Sequence, residues 1–574
     1  MNDIRRNILW VIFGVSLVLL WDHWQVYNGH KATFFPSTTA PAEVRATAGP
    51  ASGVPVAPTA LPGASVPTLP VPSAVPARAK ESVVVNTDVL KLTFDTEGGS
   101  IVRAEFVKYV DEADKTKNFV LLDEGKERFY VAQTGLIGAA GGAALPNHKT
   151  VMTLVPGEHT LKDGVNELVL RFESPELGGV KLIKTYTLKR GAYDIAVTHE
   201  VVNSGSASVA PQLYLQLVRD GNKPPGETSF GTSTFTGPAV YTSAKHFQKV
   251  EFTDIKKYKD TLDKLGVEKQ SADGYIAMVQ HYFASAWILP DGVQRSISID
   301  PIDIGSTLAD CCYRVSVLTP LDSVAPGASK VLQARFFAGP QEEKMLETLA
   351  PGLELVKDYG MFKILAEPLY WLLDKLHGIV QNWGWAIVAL VVLLKIAFYW
   401  LNAKSMSSMA KMKAINPKIM EMRERLKDNP QQMQQEMMRI YREEKVNPMG
   451  GCLPIFIQMP VFISLYWVLL SSVEMRNAPW IGWITDLSSK DPLYILPVIM
   501  TLTTLLQTAL NPAPPDPMQA KMMWFMPLIF SVMFFVFPSG LVLYYIANNI
   551  LTIAQQWVIN VRMGVPPKFN LPKF

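Results

Sequence analysis

One full charge lies in the middle of an otherwise apolar run. Residues 384–402 read GWAIVALVVLLKIAFYWLN, and the only charged residue among them is Lys395. At about 1.5 Å per helical residue, this run can cross a hydrocarbon core about 30 Å thick, with Lys395 near mid-depth. A charge there costs about 2.5–3.5 kcal/mol, so we expect the ammonium to face protein or water. The alternative is that the lysine side chain snorkels to the lipid headgroups.

The composition changes along the 574 residues, which predicts several domains. Mean hydropathy is +0.14, and the apolar excess lies mostly after Glu367. The net charge of +3 is close to neutral. It gives no broad basic field of the kind that nucleic-acid-binding proteins use.

The first 80 residues divide into an anchor and a linker. Arg5 and Arg6 precede the apolar run ILWVIFGVSLVLLW, and no convincing cleavage site follows it. We therefore predict an uncleaved signal-anchor span over residues 1–27, with its N-terminus in the cytoplasm and the following chain translocated. Residues 28–80 are rich in Pro and Ala and predict a flexible linker.

Residues 81–343 predict a large all-β domain. Alternating β-branched runs such as SVVVNTDVLKLTF and VKLIKTYTL are separated by Gly, Asn, Asp and Pro, which is typical of an antiparallel sandwich. The histidines of this region follow no metal-ligand or catalytic-triad spacing. We therefore expect a binding or structural domain, with no enzyme activity and no metal site. These histidines are His148, His159, His199, His246 and His281.

A second helical region follows. Residues 344–383 are amphipathic and predict an interfacial helix, residues 384–403 a second span, and residues 404–447 a helical hairpin whose basic excess places it in the cytoplasm. A methionine stripe at helical spacing either packs the seam of the hairpin or offers an adaptable surface to apolar segments of other proteins. Its candidate binding residues are Met406, Met409, Met412 and Met422.

Residues 448–560 contain four further apolar runs, interpreted as spans three to six, and residues 561–574 form a short cytoplasmic tail. With the anchor, this makes six spans with both termini in the cytoplasm. The runs contain polar residues, among them Gln458, Asn548 and Asn549. Such side chains either join helices by hydrogen bonds or line a wet cavity.

Several long stretches resemble a known family. NWGWAIVALVVLLK, EEKVNPMGGCLPIFIQMPVFISLYW and FPSGLVLYYIANN are similar to the YidC insertases of Gram-negative bacteria, within the YidC/Oxa/Alb family. The resemblance implies a polytopic inner-membrane protein with a periplasmic β-sandwich, a cytoplasmic hairpin and five spans that form an insertase core. It implies insertion and folding of nascent membrane proteins, alone or with the Sec translocon. Further implied partners are the ribosome, the signal recognition particle receptor and membrane lipids, without cofactor or nucleotide.

The resemblance also implies a hydrophilic groove that is open to the cytoplasm. Lys395 aligns with a basic position of the groove that is commonly arginine in the family. Client proteins, meaning the membrane proteins being inserted, would meet that charge and then slide out against apolar and aromatic residues. The groove and client-binding residues are then Lys395, Gln458, Asn548, Asn549, Tyr544, Tyr545 and Phe456. Two alternatives stay open at this point: a transporter or channel, and a membrane-anchored periplasmic glycan-binding protein.

Overall fold

The computed structural model describes residues 80–564 and Phe569, apart from gaps at 112–113, 139–142, 225–233, 259–261, 306–307, 309–310, 428, 445–452 and 512–516. The predicted anchor and all but the last residue of the predicted linker lie outside the described residues. Most of the predicted C-terminal tail lies outside them as well.

Two antiparallel sheets of nine strands each form the first half of the described chain, which confirms the predicted all-β sandwich. The first sheet contains, in spatial order, β1 (Ser82–Asn86), β2 (Leu90–Asp95), β3 (Ser100–Val110), β4 (Asn118–Glu124), β5 (Phe129–Ile137), β10 (Gln212–Arg219), β17 (Tyr313–Pro320), β16 (Arg295–Pro301) and β13 (Gln270–Ser271). The second contains β12 (His246–Lys249), β11 (Gly237–Thr242), β14 (Tyr275–Gln280), β15 (Phe283–Ile288), β18 (Ser329–Pro340), β9 (Asp194–Asn203), β8 (Val180–Lys189), β7 (Glu167–Glu173) and β6 (Thr153–Leu154).

The strands form where apolar and polar residues alternate. In β7, Leu168, Leu170 and Phe172 are buried while the residues between them are exposed, as expected for a strand with one face on the core. The turn predicted at Lys189-Arg190-Gly191 joins β8 to β9, which pair as neighbours. Gly191 has a φ of 73°, a left-handed conformation that glycine adopts without strain.

Polar groups buried in the sandwich are held by hydrogen bonds. The ammonium of Lys184 donates to the carbonyl oxygens of Gly98 and Thr134, at 2.7 Å each. The Nε2 atom of His199 lies 3.0 Å from the Thr134 hydroxyl. Burial, with a smaller contribution from the nearby Lys184 charge, lowers the pKa of His199 to about 3. The histidine is therefore neutral over most of the acid range.

The second half of the described chain is helical. Two short helices, α1 (Phe252–Lys257) and α2 (Glu343–Leu349), come before it. Its own helices are α3 (Lys363–Val380), α4 (Trp383–Ala397), α5 (Tyr399–Arg425), α6 (Pro430–Glu443), α7 (Leu453–Ser471), α8 (Ile495–Leu510), α9 (Pro517–Met533) and α10 (Ser539–Arg562).

Helix α3 lies within the region predicted to be an amphipathic interfacial helix. Leu369 and Leu373 are buried against the other helices. The opposite face exposes Ile364, Trp371 and Ile379, which are apolar. Both faces of the helix thus carry apolar side chains, as expected for a helix that packs on protein and borders lipid.

The apolar run around Lys395 is bent rather than straight. The predicted span over residues 384–403 ends as a helix at Ala397, and α5 starts at Tyr399 with a bend of 70°. An apolar run specifies a length but not a straight axis, so the sequence could not show this bend. Lys395 consequently lies in the last turn of α4, where the helix dipole favours a positive charge.

The spans predicted third to sixth correspond to α7, α8, α9 and α10. Among the described residues, no helix taken alone has both the length and the apolarity for crossing a bilayer, whereas α4 together with α5 up to Met412 meets both criteria. The count of six spans stays a prediction.

Helices α5 and α6 fold back on each other as the predicted hairpin. Asn429 caps α6 by accepting a hydrogen bond from the Gln432 amide, and Pro430 occupies the first turn, as the sequence predicts. Lys418 and Glu444 form an ion pair at 2.6 Å across the two helices.

We expect the neutral, buried His199 to make the sandwich sensitive to acid. Below about pH 6.5 an unfolded chain protonates this histidine while the native fold does not, so stability falls as the pH drops towards 3. The contribution of one such group has a slope of up to about 1.4 kcal/mol per pH unit. His199→Gln should remove it from the unfolding free energy, measured by denaturant titration with circular dichroism between pH 6 and 4.

The matched control is His246→Asn, because His246 is exposed and Asn tolerates its positive φ. This control should leave the pH slope unchanged. An unaltered slope in His199→Gln would contradict the assignment of His199 as a neutral buried group.

Candidate functional site

A small pocket lies where α4, α5, α7 and α10 meet, and it contains most of the predicted groove residues. We call it the Lys395 pocket. It is lined by Val391, Leu394, Lys395, Phe398, Leu401, Asn402, Gln458, Val461, Tyr544 and Asn548. The volume open to the centres of water molecules is about 40 Å³. Since about 10–15 Å³ suffices for one water, the pocket has room for a few waters between polar side chains.

The ammonium of Lys395 contacts neutral protein groups. Its Nζ donates to the Thr552 hydroxyl at 2.7 Å, and that hydroxyl donates to the carbonyl oxygen of Asn548 at 2.6 Å. In the part of the chain that the structure describes, no carboxylate forms an ion pair with Lys395. The charge therefore faces protein, as its depth predicts, and keeps N–H donors for another partner.

Gln458 of α7 reaches the same pocket from the opposite side. Its Nε2 donates to the Oδ1 atom of Asn548 at 2.8 Å. Tyr544 lies one helical turn before Asn548 and also lines the pocket. The structure thus brings together Lys395, Gln458, Tyr544 and Asn548, four of the seven residues predicted for the groove.

Asn549 does not line this pocket. Successive residues of a helix point about 100° apart, so the neighbour of Asn548 faces α8 instead. Its Nδ2 donates to the hydroxyls of Thr504, at 2.9 Å, and Thr503, at 3.3 Å. Of the two roles predicted for such polar residues, Asn549 has the first: it joins two helices by hydrogen bonds and does not line the cavity.

Two aromatic residues remain from the predicted set. The ring of Tyr545 packs against Phe462 and Phe534, with centroids 4.7 and 4.5 Å away, beside rather than in the Lys395 pocket. The side chain of Phe456 lies outside what the structure describes.

Two residues of the site were not predicted from the sequence, namely Thr552, which bonds to Lys395, and Asn402, which lines the pocket. Thr552 follows Asn548 by four residues and Asn402 follows Lys395 by seven, which on a straight helix puts each pair on one face. The spacing of four residues from Asn548, which was itself predicted for the groove, is the sequence signal that indicates Thr552. For Asn402 the bend at Phe398 intervenes, so spacing alone was not sufficient.

The methionine stripe of the hairpin divides into two groups. Met422 is buried and Met412 packs beside it, in a cluster with Ile415 and Ile419 that forms the seam of the hairpin. The other members of that cluster are Leu426, Met433, Met437, Ile440 and Tyr441. Met406 and Met409 are half-buried and lie outside this cluster. Seam packing therefore explains two of the four candidate methionines.

Among the described residues, no group of three or more His, Cys, Asp or Glu side chains is close enough to hold a metal ion.

Two family models together match nearly all of residues 82–565. The model of the YidC periplasmic domain matches residues 82–372, and that of the 60Kd inner membrane protein matches residues 375–565. Their boundary falls within α3, between the sandwich and the helical half.

The curated relatives agree with these models. A membrane protein insertase YidC of Cupriavidus necator is 53% identical over 568 residues, which cover 98% of each chain. The insertase YidC of Burkholderia cenocepacia is 52% identical over 565 residues, covering 98% of this chain and 99% of its own. That of Ralstonia nicotianae is 51% identical over 573 residues, covering 99% of both.

Solved structures give weaker likenesses. An active YidC insertase with its first transmembrane domain resolved is 19% identical, with a TM-score of 0.38, and covers 83% of this chain and 92% of its own. A putative aldose 1-epimerase of Escherichia coli K12 is 12% identical, with a TM-score of 0.29, and covers 46% of this chain and 100% of its own. These scores are too low to bear on function. The family models and the full-length relatives do bear on it, and by them the chain belongs to the YidC family of inner-membrane protein insertases.

Proposed function

We propose that this insertase receives the polar part of a client protein in the Lys395 pocket. The observation that carries the proposal is the ammonium of Lys395, which lies at the end of an apolar helix with a neutral hydroxyl as its hydrogen-bond partner. A positive charge without a carboxylate partner attracts an acidic group from the client. At an effective dielectric of about 20, one contact near 4 Å is worth about 4 kcal/mol before desolvation reduces it.

The polar lining supplies the second part of the mechanism. A hydrophilic client tail would otherwise cross a low-dielectric slab in which its polar groups lose their hydrogen bonds to water. Gln458, Asn402 and Asn548 offer amide groups in place of that water, and the pocket has room for a few waters. A groove of this kind, open to the cytoplasm, shortens the apolar part of the path.

Release of the client needs no nucleotide in this scheme. Once the tail has passed, an apolar client helix moves along Tyr544, Tyr545 and Phe456 into lipid. Removal of apolar surface from water contributes about 25 cal/mol per Å², which grows with the length of the helix. The tilted and edge-on ring contacts of Tyr545 with Phe462 and Phe534 support an aromatic environment beside the pocket for such a helix.

The orientation of the chain follows from its charges. The hairpin exposes Lys411, Lys418, Arg425 and Arg439, and an excess of basic residues favours the cytoplasmic side. We therefore place the hairpin and both termini in the cytoplasm, and residues 81–343 in the periplasm. The exposed basic residues also suit contact with the ribosome and the signal recognition particle receptor, and the insertase would act alone or beside the Sec translocon. No specific observation favours a transporter, a channel or a glycan-binding protein.

For the hairpin we propose a role in client capture through Met406 and Met409. The seam methionines, Met412 and Met422, are engaged within the hairpin and could bind a client only if the two helices separated. Met406 and Met409 are free of the seam and lie on the half of α5 nearest the Lys395 pocket. Unbranched methionine side chains adapt to different apolar partners.

The first prediction concerns the charge of Lys395. Lys395→Arg should retain insertion, whereas Lys395→Leu should slow it most for clients with Asp or Glu in the translocated tail. A net loss of about 1.4 kcal/mol corresponds to about tenfold in rate. The measurement is protease protection of acidic-tailed and neutral-tailed clients inserted into vesicles that contain each variant.

Lys404→Leu serves as the matched control, because it removes an exposed lysine of α5 outside the pocket. It should insert both clients normally. Equal and undiminished insertion of both clients by Lys395→Leu would show that the charge does not steer acidic tails.

The second prediction uses the neighbouring asparagines. A cysteine at position 548 should react with a membrane-impermeant maleimide added from the cytoplasmic side, because Asn548 lines the wet pocket. A cysteine at position 549 should be protected, because Asn549 faces α8. Protection of both positions would argue against water in the pocket.

The third prediction separates the two groups of methionines. Met406→Ser combined with Met409→Ser should reduce crosslinking of apolar client segments to α5 without unfolding the hairpin. Met422→Ser should instead loosen the hairpin by about 2–3 kcal/mol, the cost of a buried methionine side chain, seen as faster proteolysis of residues 426–430. Normal client crosslinking in the double variant would remove Met406 and Met409 from client capture.

A further inference from the structure

The C-terminal end of α7 is built into the β-sandwich. Val473, two residues after the helix, is 1% exposed and belongs to the same apolar cluster as the core of the sandwich. The next basic residue, Arg476, donates to the carbonyl oxygen of Val110 on β3 at 2.5 Å. Its guanidinium also lies 5.1 to 5.6 Å from the ring centroids of three aromatic residues of the sandwich. These are Phe119, Tyr282 and Phe283.

A histidine of the sandwich holds the last turn of α7. The Nε2 atom of His281, on the turn between β14 and β15, lies 2.9 Å from the carbonyl oxygen of Leu470. Burial lowers the pKa of His281 to about 4, so the ring is neutral at ordinary pH and donates its N–H to that carbonyl. This carbonyl is one of those that a helix end leaves without an intrahelical partner.

A buried ion pair completes the joint. The side chain of Lys357 is fully buried, and its Nζ lies 3.3 Å from the Oε2 atom of Glu474. The same Nζ lies 3.7 Å from the ring centroid of Tyr370 on α3, and Tyr370 donates its hydroxyl to Glu474 at 2.6 Å. Glu343 of α2 lies 3.9 Å away from Lys357. We call these four residues the Lys357 network.

The segment that carries Lys357 also packs directly on α7. Gly360 has a φ of 65°, and a Cβ atom built there would lie 2.4 Å from the indole of Trp467. Only glycine allows the Trp467 ring to touch the backbone at this point. The last two turns of α7 are thus held by an indole contact and a histidine, and the turn that follows the helix is held by an ion pair.

We propose that the Lys357 network sets the position of α7 along and around its axis, and so sets the contact between Gln458 and Asn548 in the Lys395 pocket. Lys357 and Glu474 are then positioning residues for insertion. Thirteen positions, about 20 Å along the helix axis, lie between Gln458 and Ser471, the last residue of α7, and Glu474 follows in a short 3-10 turn, Val473–Met475. Pro460 removes one backbone hydrogen bond within α7, and on its C-terminal side Ser464 donates its hydroxyl to the Pro460 carbonyl oxygen at 2.7 Å.

The buried ion pair of Lys357 and Glu474 supports a role in orienting α7, because such a pair restricts the orientation of the segments it joins more than it adds to stability. Replacement of such a pair by apolar residues is often neutral for stability, whereas removal of one partner leaves a buried charge uncompensated. Lys357 has ligands on three sides, from Glu474, Glu343 and the Tyr370 ring, which an apolar side chain cannot reproduce. The three groups around Lys357 thus favour one orientation of α7.

The test uses a distance reporter in the pocket that does not depend on insertion. Cysteines at positions 458 and 548, in full-length protein whose native cysteines are replaced by serine, report the Gln458–Asn548 contact through their rate of disulfide formation in native membranes. Glu474→Gln should slow this crosslinking several-fold and lower insertion in parallel. Lys115→Met is the matched control, because the exposed Lys115–Asp486 pair, 3.4 Å, joins the sandwich to the loop after α7 without touching the helix.

A second variant excludes simple misfolding. Lys357→Met combined with Glu474→Leu removes both charges of this pair, and Glu343 keeps its hydrogen bond from the Tyr359 hydroxyl, so the variant should fold, yet it should slow crosslinking as much as Glu474→Gln does. Native crosslinking rates in either variant, or an equal loss in Lys115→Met, would overturn the inference.

The inference rests on the proposed role of the Lys395 pocket, and the two fail in different ways. Slow crosslinking with normal insertion would overturn the positioning role in insertion and also argue against the pocket. A failure of the pocket proposal alone would appear as normal insertion by Lys395→Leu with the crosslinking effects intact.

Discussion

A charge that leaves water must find a partner, and two lysines near opposite ends of α7 meet this constraint in opposite ways. Lys357 is fully buried and surrounded by two carboxylates and the face of a tyrosine ring. The charge of Lys357 is compensated by groups of the same chain, and loss of one partner would cost about 3–5 kcal/mol of stability. Lys395 instead bonds to a neutral hydroxyl in a pocket with room for water. Among the residues that the structure describes, no carboxylate forms an ion pair with Lys395.

Buried charged and polar groups in this molecule are thus of two kinds: those that stabilise the fold, and those to which we assign a role in insertion. The buried groups of the sandwich, such as Lys184 and His199, are matched by carbonyl and hydroxyl groups of neighbouring strands. These hydrogen bonds stabilise one arrangement of the sandwich. In the Lys395 pocket, polar side chains from α4, α7 and α10 converge around a volume with room for a few waters, and our proposal that a polar client segment enters there rests on this arrangement.

The sandwich and the helices share side-chain contacts in addition to the covalent chain that joins them. Val473 shares the core of the sandwich, and Arg476 and Leu470 bond to strand and turn residues. Helix α7 therefore connects the periplasmic domain to Gln458 in one wall of the Lys395 pocket, with Pro460 in the interior of the helix.

Much of this protein could be predicted from its sequence. Alternating apolar residues determined the β-sandwich, because side chains of a strand point to opposite faces with a period of two. Asn429 and Pro430 determined where α6 begins, because capping acts through neighbouring atoms only. The depth of Lys395 followed from its place in an apolar run, and the family followed from motifs such as NWGW and LYYIANN.

Only the tertiary structure decided how these elements face each other. Asn548 and Asn549 are chemically identical, and the rotation of α10 against α7 and α8 sends one into the pocket and the other to Thr504. The bend at Phe398 and the insertion of Val473 into the sandwich are decided in the same way, by packing between segments distant in the chain. Local pattern fixes which face of an element is apolar or polar, because that depends on backbone periodicity. It does not fix the partner of that face, because the partner depends on the sum of contacts in the whole fold.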